Sequence, residues 1–281
     1  MLSVHNLTLA YGKHVLLDDV TFSLQPGRIV GLVAPNGCGK TTLLRAMADV
    51  PGARMRGTIA VDDVPARAQA ERRRRVFYAP GEGSLLYAGM TARDHLAMVR
   101  DLWGSDRTVD EVADIARIDH FLNKRVRSLS QGMKQQLTLA IAYLTGARYL
   151  LLDEPMNALD PTNVAINSSV LRSLAAHGVG IIMSSHILDN VDQVSDAIVF
   201  VKDGKLLLYG AEARADRAAG GGAVGGRHFK RGSGVDGLQG AAGAPPRSPR
   251  SATASLPRIG KPGERAIDIY RRLYLADGAS D

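Results

Sequence analysis

The sequence contains little cysteine, few aromatic residues and no long apolar run. Among its 281 residues are one cysteine and one tryptophan, and aromatic residues make up 5%. A single cysteine excludes an internal disulfide. No apolar stretch approaches the roughly 20 residues that span a bilayer, and the first residues lack a charged-then-apolar signal pattern. We therefore expect a cytoplasmic chain of one or two domains.

A general excess of positive charge is also missing. The net charge is +7, but ten basic and four acidic residues lie between Glu212 and Arg265. The other 25 basic and 24 acidic residues nearly balance. The predicted folded part is therefore close to neutral, and we expect no nucleic-acid partner from its charge.

A Gly-containing loop between a predicted strand and a predicted helix is the most informative segment. Over Gly31–Leu44 the chain reads GLVAPNGCGKTTLL. Gly37 and Gly39 let backbone N–H groups and the helix N-terminus approach phosphate oxygens. Lys40 can reach the β- and γ-phosphates, and the Thr41 hydroxyl follows in position to hold Mg²⁺. The pattern predicts a nucleoside triphosphate site.

Two residues of this loop affect how well it fits the motif. Ala34 stands where the motif has glycine, which is tolerated if the backbone there has a negative φ. Cys38, near a helix N-terminus and Lys40, could react with alkylating agents, although a small space-filling role explains it as well. The predicted nucleotide-binding residues of the loop are Ala34, Pro35, Asn36, Gly37, Cys38, Gly39, Lys40, Thr41 and Thr42.

An acidic pair follows the apolar run Tyr149–Leu152, which is typical of a strand buried on both faces. We expect Asp153 to hold Mg²⁺ directly or through water, and Glu154 to polarise the attacking water. Two adjacent carboxylates repel each other unless a cation compensates, which favours a functional role over a structural one.

Two further segments have both a functional and a structural interpretation. Ser130 can cap the helix that follows and the Gly132 backbone can approach a phosphate, which predicts a second anion-binding helix start. A simple helix N-cap explains the same residues. Tyr11, at a strand end, could stack on an adenine ring or simply pack there.

The remaining pattern predicts a mainly parallel α/β sheet, because buried strands alternate with helices. The strand Leu2–Leu9 and a strand pair within Val15–Leu24 precede it. A helical stretch covers about 85–147, and together these segments form a nucleotide-binding domain over 1–210. We interpret Arg72–Arg75 as a solvated face rather than a nucleic-acid patch, because no aromatic residues are interleaved.

The chain changes character after residue 210. Residues 211–263 are rich in Gly, Arg and Pro and lack periodicity, which predicts a disordered linker. Over 264–276, Ile267, Tyr270, Leu273 and Tyr274 form a short apolar stripe. We expect a helix that docks on the domain; the alternative is a basic tail that contacts lipid headgroups or RNA.

Together these segments resemble the ATP-binding cassette family, the nucleotide-binding subunits of ABC transporters, over Met1 to about Tyr209. The resemblance implies a phosphate-loop NTPase cassette with a mainly parallel core sheet, an N-terminal antiparallel β part and a helical subdomain. The matching segments, in family order, are Tyr11, the loop to Thr42, Ser130–Gly132, Asp153-Glu154, Asn157–Asp160 and Ser185-His186.

The resemblance also implies partners and roles. Two cassettes, as a homodimer or a mixed pair, would associate head to tail around ATP, so that Ser130 and Gly132 bind the γ-phosphate held by the opposite subunit. Asp160 would contact that subunit, and His186 would hold the γ-phosphate and the attacking water, with Glu154 as base. A separate integral membrane permease would use this cycle, placing the chain on the inner face of the cell membrane.

Two departures from the family keep other interpretations open. Gly81 stands where the family has Gln or Glu near Mg²⁺, so either Glu82 is the ligand there or the site is weakened. Gln131 replaces a more usual Gly. A non-hydrolysing regulatory cassette is one alternative, and a soluble cassette protein acting on DNA or ribosomes is another. One cassette without sustained heptads, and intact Glu154 and His186, favour an ATP-hydrolysing transporter subunit.

Overall fold

The computed structural model describes residues 1–64, 68–81, 84–210, 256–260 and 264–275. These residues form two sheets. The antiparallel sheet contains β1 (Leu2–Tyr11), β2 (His14–Leu24) and β4 (Arg54–Val61), in the order β2-β1-β4. The larger sheet contains β3 (Ile29–Val33), β5 (Val76–Ala79), β6 (Tyr149–Leu152), β7 (Gly180–Ser185), β8 (Ala197–Lys202) and β9 (Lys205–Tyr209).

The larger sheet has the order β5-β6-β7-β3-β8-β9. Adjacent strands in it are parallel, except in the antiparallel β8–β9 hairpin. Every residue of β3, β6 and β7 is buried, as their continuous apolar sequences predicted. The carboxyl ends of these strands meet at one edge, where open α/β sheets bind ligands. The predicted mainly parallel sheet is confirmed.

Eight helices lie in the described residues. Three of them, with two short 3₁₀ turns, make up the predicted helical stretch before β6. No described helix is both long enough and apolar enough to cross a bilayer. The helices are α1 (Lys40–Met47), α2 (Gln69–Arg75), α3 (Ala92–Trp103), α4 (Val109–Ala116), α5 (Gln131–Leu144), α6 (Pro161–Ala176), α7 (Leu188–Val194) and α8 (Ala266–Tyr274).

The prediction of two strands within Val15–Leu24 is wrong, because β2 runs unbroken from His14 to Leu24. Between the pairs Leu9↔Leu17 and Leu7↔Val20, β2 carries one residue more than β1. The resulting bulge contains Asp18 and Asp19, whose φ is 50° at Asp19. A bulge absorbs this polar pair by local twisting, without turning the chain back.

Asp62 connects the two sheets. It follows β4, and its carboxylate accepts hydrogen bonds from Tyr149 of β6 at 2.6 Å, from Arg75 at 2.9 Å and from the Met1 ammonium. Burial alone would raise the pKa of Asp62, but the hydrogen bonds from Met1, Tyr149 and Arg75 outweigh it and lower the pKa to about 2.

We expect Asp62 to make stability depend on pH in acid. Its folded pKa lies below the ordinary value of 3.8, so the ionised group stabilises the fold above about pH 4, and this contribution is lost as the pH falls through about 2. Asp62→Asn should reduce the acid decline of the unfolding free energy by about 1–2 kcal/mol. Urea denaturation at a series of pH values measures it, and equal declines in both proteins would contradict it.

The C-terminal part returns to the larger sheet. The Leu208 N–H donates to the Pro257 carbonyl and the Ile259 N–H donates to the Leu208 carbonyl, each at 2.9 Å. Leu256 is buried in the core. Residues 256–260 therefore pair with β9, which corrects the linker prediction there; the rest of that prediction, 211–255 and 261–263, lies outside the described residues.

Replacing 211–255 with a ten-residue Gly/Ser linker should leave the ATP turnover that the family resemblance implies within about threefold. The predicted site residues all precede Gly210, and the pairing of 256–260 with β9 stays in the protein. The steady-state ATPase rate of the shortened chain is the measurement. A tenfold loss would show that the removed segment takes part in turnover.

Candidate functional site

The phosphate loop joins β3 to α1 in a shape that requires glycine twice. Gly37 and Gly39 have φ of 85° and 94°, in the left-handed region. An added Cβ at Gly37 would meet no atom within 4 Å, so the loop is open on that side. Gly39 directly precedes α1, whose first backbone N–H groups and N-terminal dipole favour an anion.

Ala34 fits the loop without strain. It is fully buried, and it is not among the described residues with positive φ. Its carbonyl accepts a hydrogen bond from Lys40 Nζ at 2.7 Å. The backbone at Ala34 is therefore unstrained, which is the condition under which alanine can replace the glycine of the motif.

Lys40 is folded back onto its own loop. Its Nζ also donates to the Pro35 carbonyl at 3.2 Å and lies 3.9 Å from Glu154 Oε1. The side chain is only 6% exposed. A buried ammonium needs such partners, and phosphate oxygens can replace the carbonyls because they offer the same hydrogen-bond acceptors with more negative charge.

Three hydroxyl groups converge on Asp153, which is buried. Thr41 Oγ1 and the Tyr78 hydroxyl donate to Asp153 Oδ2 at 2.7 and 3.2 Å, and Ser184 Oγ donates to Oδ1 at 2.5 Å. Burial raises the pKa of Tyr78, and the Asp153 charge raises it further, so the phenol stays protonated as a donor. The structure brings together the predicted pair Thr41 and Asp153, and adds Tyr78 and Ser184.

A short chain of hydrogen bonds runs from Asp153 through the Ser184 hydroxyl to the backbone of Glu154. The φ of 49° at Glu154 is unusual for a residue with a side chain. Its N–H donates to Ser184 Oγ at 2.9 Å, and its Oε2 lies 2.9 Å from His186 Nδ1. The turn thus directs Glu154 toward Lys40 and His186, while Asp153 turns toward Thr41.

Within the described part of the chain, the Ser130 segment, residues Ser130–Gly132, is not hydrogen-bonded to the residues around Lys40 and Asp153. Ser130 caps α5 by accepting the Met133 N–H at 3.2 Å. A Cβ at Gly132 would lie 2.7 Å from the Ala158 carbonyl, so α5 packs directly on the loop after Glu154. Among the described residues, no hydrogen bond joins Ser130, Gln131 or Gly132 to the phosphate loop.

Asp160 begins the helix after that loop. Its carboxylate caps α6 by accepting the Asn163 N–H at 2.9 Å, and Asn163 Nδ2 donates to it at 2.6 Å. These hydrogen bonds lower the pKa of Asp160, beginning with the bond from the Asn163 backbone. The cap also explains why α6 starts at Pro161, whose missing N–H needs no partner in the first turn.

Comparisons with known proteins agree with this geometry. A family model described as ABC transporter matches residues 17–157. The lantibiotic transport ATP-binding protein SrtF of Streptococcus pyogenes is 31% identical over 209 residues, which cover 74% of this chain and 90% of that protein. The chain belongs to the ABC transporter family. Within this family it is the ATP-binding cassette, which binds and hydrolyses ATP.

Further relatives support the same assignment. The Nod factor export ATP-binding protein I of Sinorhizobium fredii is 32% identical over 212 residues, covering 73% of this chain and 61% of that protein. A solved structure of an ATP binding subunit of an ABC transporter has a TM-score of 0.68 and 28% identity, covering 73% of this chain and 88% of that one. The resemblance seen in the motifs is therefore confirmed for the family and the fold.

The ABC cassette has an open cleft beside the phosphate-loop helix. Tyr11 is 46% exposed and lines this cleft of about 320 Å³ together with Thr42 and Arg45. An exposed ring next to the helix that follows the phosphate loop is in place to stack on a nucleotide base. The structure therefore brings Tyr11 and Thr42 to one surface, which the sequence placed 31 residues apart.

Gly81 lies against the backbone of the acidic pair Asp153-Glu154. A Cβ there would be 3.2 Å from the Asp153 carbonyl and 3.8 Å from Glu154 Cβ. A longer side chain at position 81 would therefore enter the site, which is what the family resemblance implies for the Gln or Glu usually found there. Glu82, the predicted substitute ligand, lies outside the described residues.

Sequence reasoning missed Tyr78 and Ser184. Tyr78 lies in β5 and Ser184 in β7, the two strands that flank β6. That these side chains meet Asp153 can be predicted only once the strand order is known. A signal existed: each carries a hydroxyl in a mainly apolar strand, and buried polar groups need partners.

Replacing Gly132 with alanine should lower ATP turnover at least about tenfold and cost roughly 1–3 kcal/mol of stability. The new Cβ would clash with the Ala158 backbone, so either α5 or the loop after Glu154 must move. Turnover and melting temperature are the measurements. Gly89→Ala, where a Cβ meets nothing within 4 Å, is the matched control; equal behaviour of the two variants would contradict the prediction.

Proposed function

We propose that this cassette works as one half of a head-to-tail pair that closes on ATP and drives a separate membrane permease. One observation carries the proposal: the phosphate loop and the Ser130 segment are both helix starts suited to bind phosphate, and no described hydrogen bond joins them. Ser130 caps its own helix and Gly132 lies against the Ala158 carbonyl. Lys40 and Thr41 instead contact Glu154 and Asp153. A second copy would complete each site.

Within such a site, each residue of the chain has a defined task. Lys40 exchanges its carbonyl partners for phosphate oxygens, and Glu154 accepts the proton of the attacking water as general base. His186, 2.9 Å from Glu154 Oε2, orients that carboxylate and reaches toward the phosphate. Ser184 bonds to both Asp153 and the Glu154 backbone, so it holds the two acids in a fixed relation.

The donor set at Thr41 and Asp153 fits Mg²⁺. A hydroxyl and a carboxylate oxygen lie 2.7 Å apart at the start of α1, and hard oxygen ligands of this kind suit a small divalent cation. When bound, Mg²⁺ would neutralise charge that develops on the phosphates. Thr41 and Asp153 would hold it, with Tyr78 and Ser184 fixing the carboxylate.

Residues 85–102 expose large apolar side chains that suit contact with a permease. Leu85, Tyr87 and Leu102 are large apolar residues exposed by 38%, 63% and 69%. Tyr87 stacks on His95, with ring centroids 5.5 Å apart, and its N–H donates to the His95 ring. An ordered, exposed aromatic residue just after the Gly81 position is a suitable anchor for a partner at the inner face of the membrane.

The pairing is tested by sizing chromatography with light scattering. The Glu154→Gln variant should form a dimer when ATP is added, because it binds ATP without hydrolysing it. Adding Ser130→Ala should weaken that dimer, and adding Ser128→Ala, an exposed serine two residues earlier, should not. Monomers at saturating ATP would count against the head-to-tail pair.

The permease is tested by affinity purification from gently solubilised membranes. We expect a multi-span membrane protein in stoichiometric amount with the wild-type chain. Tyr87→Asp should lose it, and Val15→Asp, a charge placed on the exposed side of β2, should keep it. Recovery of only soluble proteins, ribosomes or DNA would overturn the transporter assignment of the partner and leave the ATP site intact.

A further inference from the structure

Helix α8, the last helix in the described residues, reaches the sheet edge that carries the phosphate loop. Ala266 and Ile269 of α8 are buried in the same core cluster as Val33 of β3 and Phe200 of β8. Glu264, just before the helix, accepts a hydrogen bond through its carbonyl from the Tyr209 hydroxyl. The pairing of 256–260 with β9 and this bond fix the path by which α8 returns.

Tyr274, at the end of α8, connects the two strands next to the loop. Its hydroxyl donates to the Val201 carbonyl at 2.7 Å and lies 3.4 Å from the Val33 carbonyl. A phenol has one proton, so the bond to Val201 is the stronger contact and the Val33 carbonyl is its neighbour on the other side. The ring packs near Phe200 and Tyr270, at centroid distances of 6.5 and 4.8 Å.

Val33 is the last residue of β3, and the phosphate loop begins at the next residue. The Ala34 carbonyl, one residue later, is the acceptor of Lys40 Nζ. A displacement of the strand end at Val33 is therefore passed directly to the group that holds Lys40. Burial raises the pKa of Tyr274, so its hydroxyl stays protonated as a hydrogen-bond donor.

We propose that Tyr274 is a positioning residue for the phosphate loop: its hydroxyl holds the carboxyl ends of β3 and β8 in place, and so sets the affinity of the cassette for nucleotide. The proposal deepens the ATP site without relying on the pair or the permease. Tyr274 acts through Val33 and Val201, not on the nucleotide itself. Its effect should therefore fall on nucleotide binding more than on the hydrolysis step.

The test uses the single cysteine as a reporter of the loop. Cys38 is the one cysteine in the chain and is partly exposed, so its alkylation by N-ethylmaleimide in the absence of nucleotide reports loop geometry without any turnover. Tyr274→Phe should change this rate at least about threefold. The KM for ATP should rise by at least about threefold with kcat within twofold, because the hydroxyl is removed and the ring is kept.

Tyr270→Phe is the matched control, because it removes a hydroxyl from the same helix four residues earlier. It should leave the alkylation rate and the KM unchanged. Melting temperatures confirm that both variants are folded, and hydrogen exchange of the peptide over residues 32–38 gives a second measure of the loop. Equal alkylation, exchange and KM in Tyr274→Phe and wild type would overturn the proposal.

The outcome is separable from that of the ATP site. Protection of wild-type Cys38 by ATP tests the site itself, and no protection would count against it. The comparison of alkylation rates between Tyr274→Phe and wild type needs no ATP, so it decides the role of Tyr274 in either case. An equal change in Tyr270→Phe would show a general effect of α8 packing and would also overturn the proposal.

Discussion

Replacing Glu154 with glutamine is expected to reduce ATP turnover by about 10²- to 10⁴-fold, the usual contribution of a general base. Glutamine keeps the size and the polar contacts of the side chain but cannot take up the proton of the attacking water. Because Lys40, 3.9 Å from Glu154 Oε1, loses a negative neighbour, ATP binding should be kept or tightened. Phosphate release and equilibrium ATP binding, measured on the same preparation, check both parts.

The control for this variant is Glu71→Gln. Glu71 is an exposed residue of α2 that pairs with Arg75 at 2.7 Å, and an exposed pair of this kind contributes little. Its turnover should equal that of the wild type. Turnover in Glu154→Gln within tenfold of the wild type would assign the general base to another residue.

Lys40→Ala is expected to abolish nucleotide binding at ordinary ATP concentrations, a loss of at least about 100-fold, or roughly 3 kcal/mol. The ammonium is the charged donor of the loop, and it is buried against Ala34, Pro35 and Glu154. Without it, the Glu154 carboxylate faces the incoming phosphates with no positive charge between them. Titration with a fluorescent ATP analogue measures the change.

Lys205→Ala serves as the matched control, because this exposed lysine bonds only to Asp18 in the described contacts. Its ATP affinity should be that of the wild type. The same affinity in Lys40→Ala would sink the assignment of the phosphate loop. A melting temperature close to that of the wild type would show that the loss in Lys40→Ala is local.

The motif residues were predictable because local backbone chemistry determines them. Gly37 and Gly39 occupy positive φ, and the hydroxyl of Thr41 meets Asp153 across 112 positions of sequence. The strand–loop–helix pattern predicted the positive φ of the two glycines. The apolar run before Asp153 predicted that this residue lies at the end of a strand. Parallel strands end at a common edge, so the meeting of Thr41 and Asp153 followed from both.

Features that depend on tertiary contacts were not predictable. The donors Tyr78 and Ser184 needed the strand order, and the bulge at Asp18 and Asp19 looked like a turn because polar residues interrupt apolar ones in both cases. The pairing of 256–260 with β9 involves only five residues at the end of a Gly- and Pro-rich segment. The composition of the whole segment predicted a linker and gave no sign of this short pairing. Local propensity carries no information on such distant partners.

The position of β3 in the sheet also governs when the site can exist during synthesis. Its two neighbours, β7 and β8, begin at Gly180 and Ala197, whereas β3 ends at Val33. At about 5–20 residues per second, the ribosome needs roughly 7–30 s to make the intervening chain. For that time the five apolar residues of β3 have no sheet to join. The cassette therefore cannot form its ATP site co-translationally from its N-terminal third, and a nascent chain stalled before Gly180 should depend on chaperones for solubility.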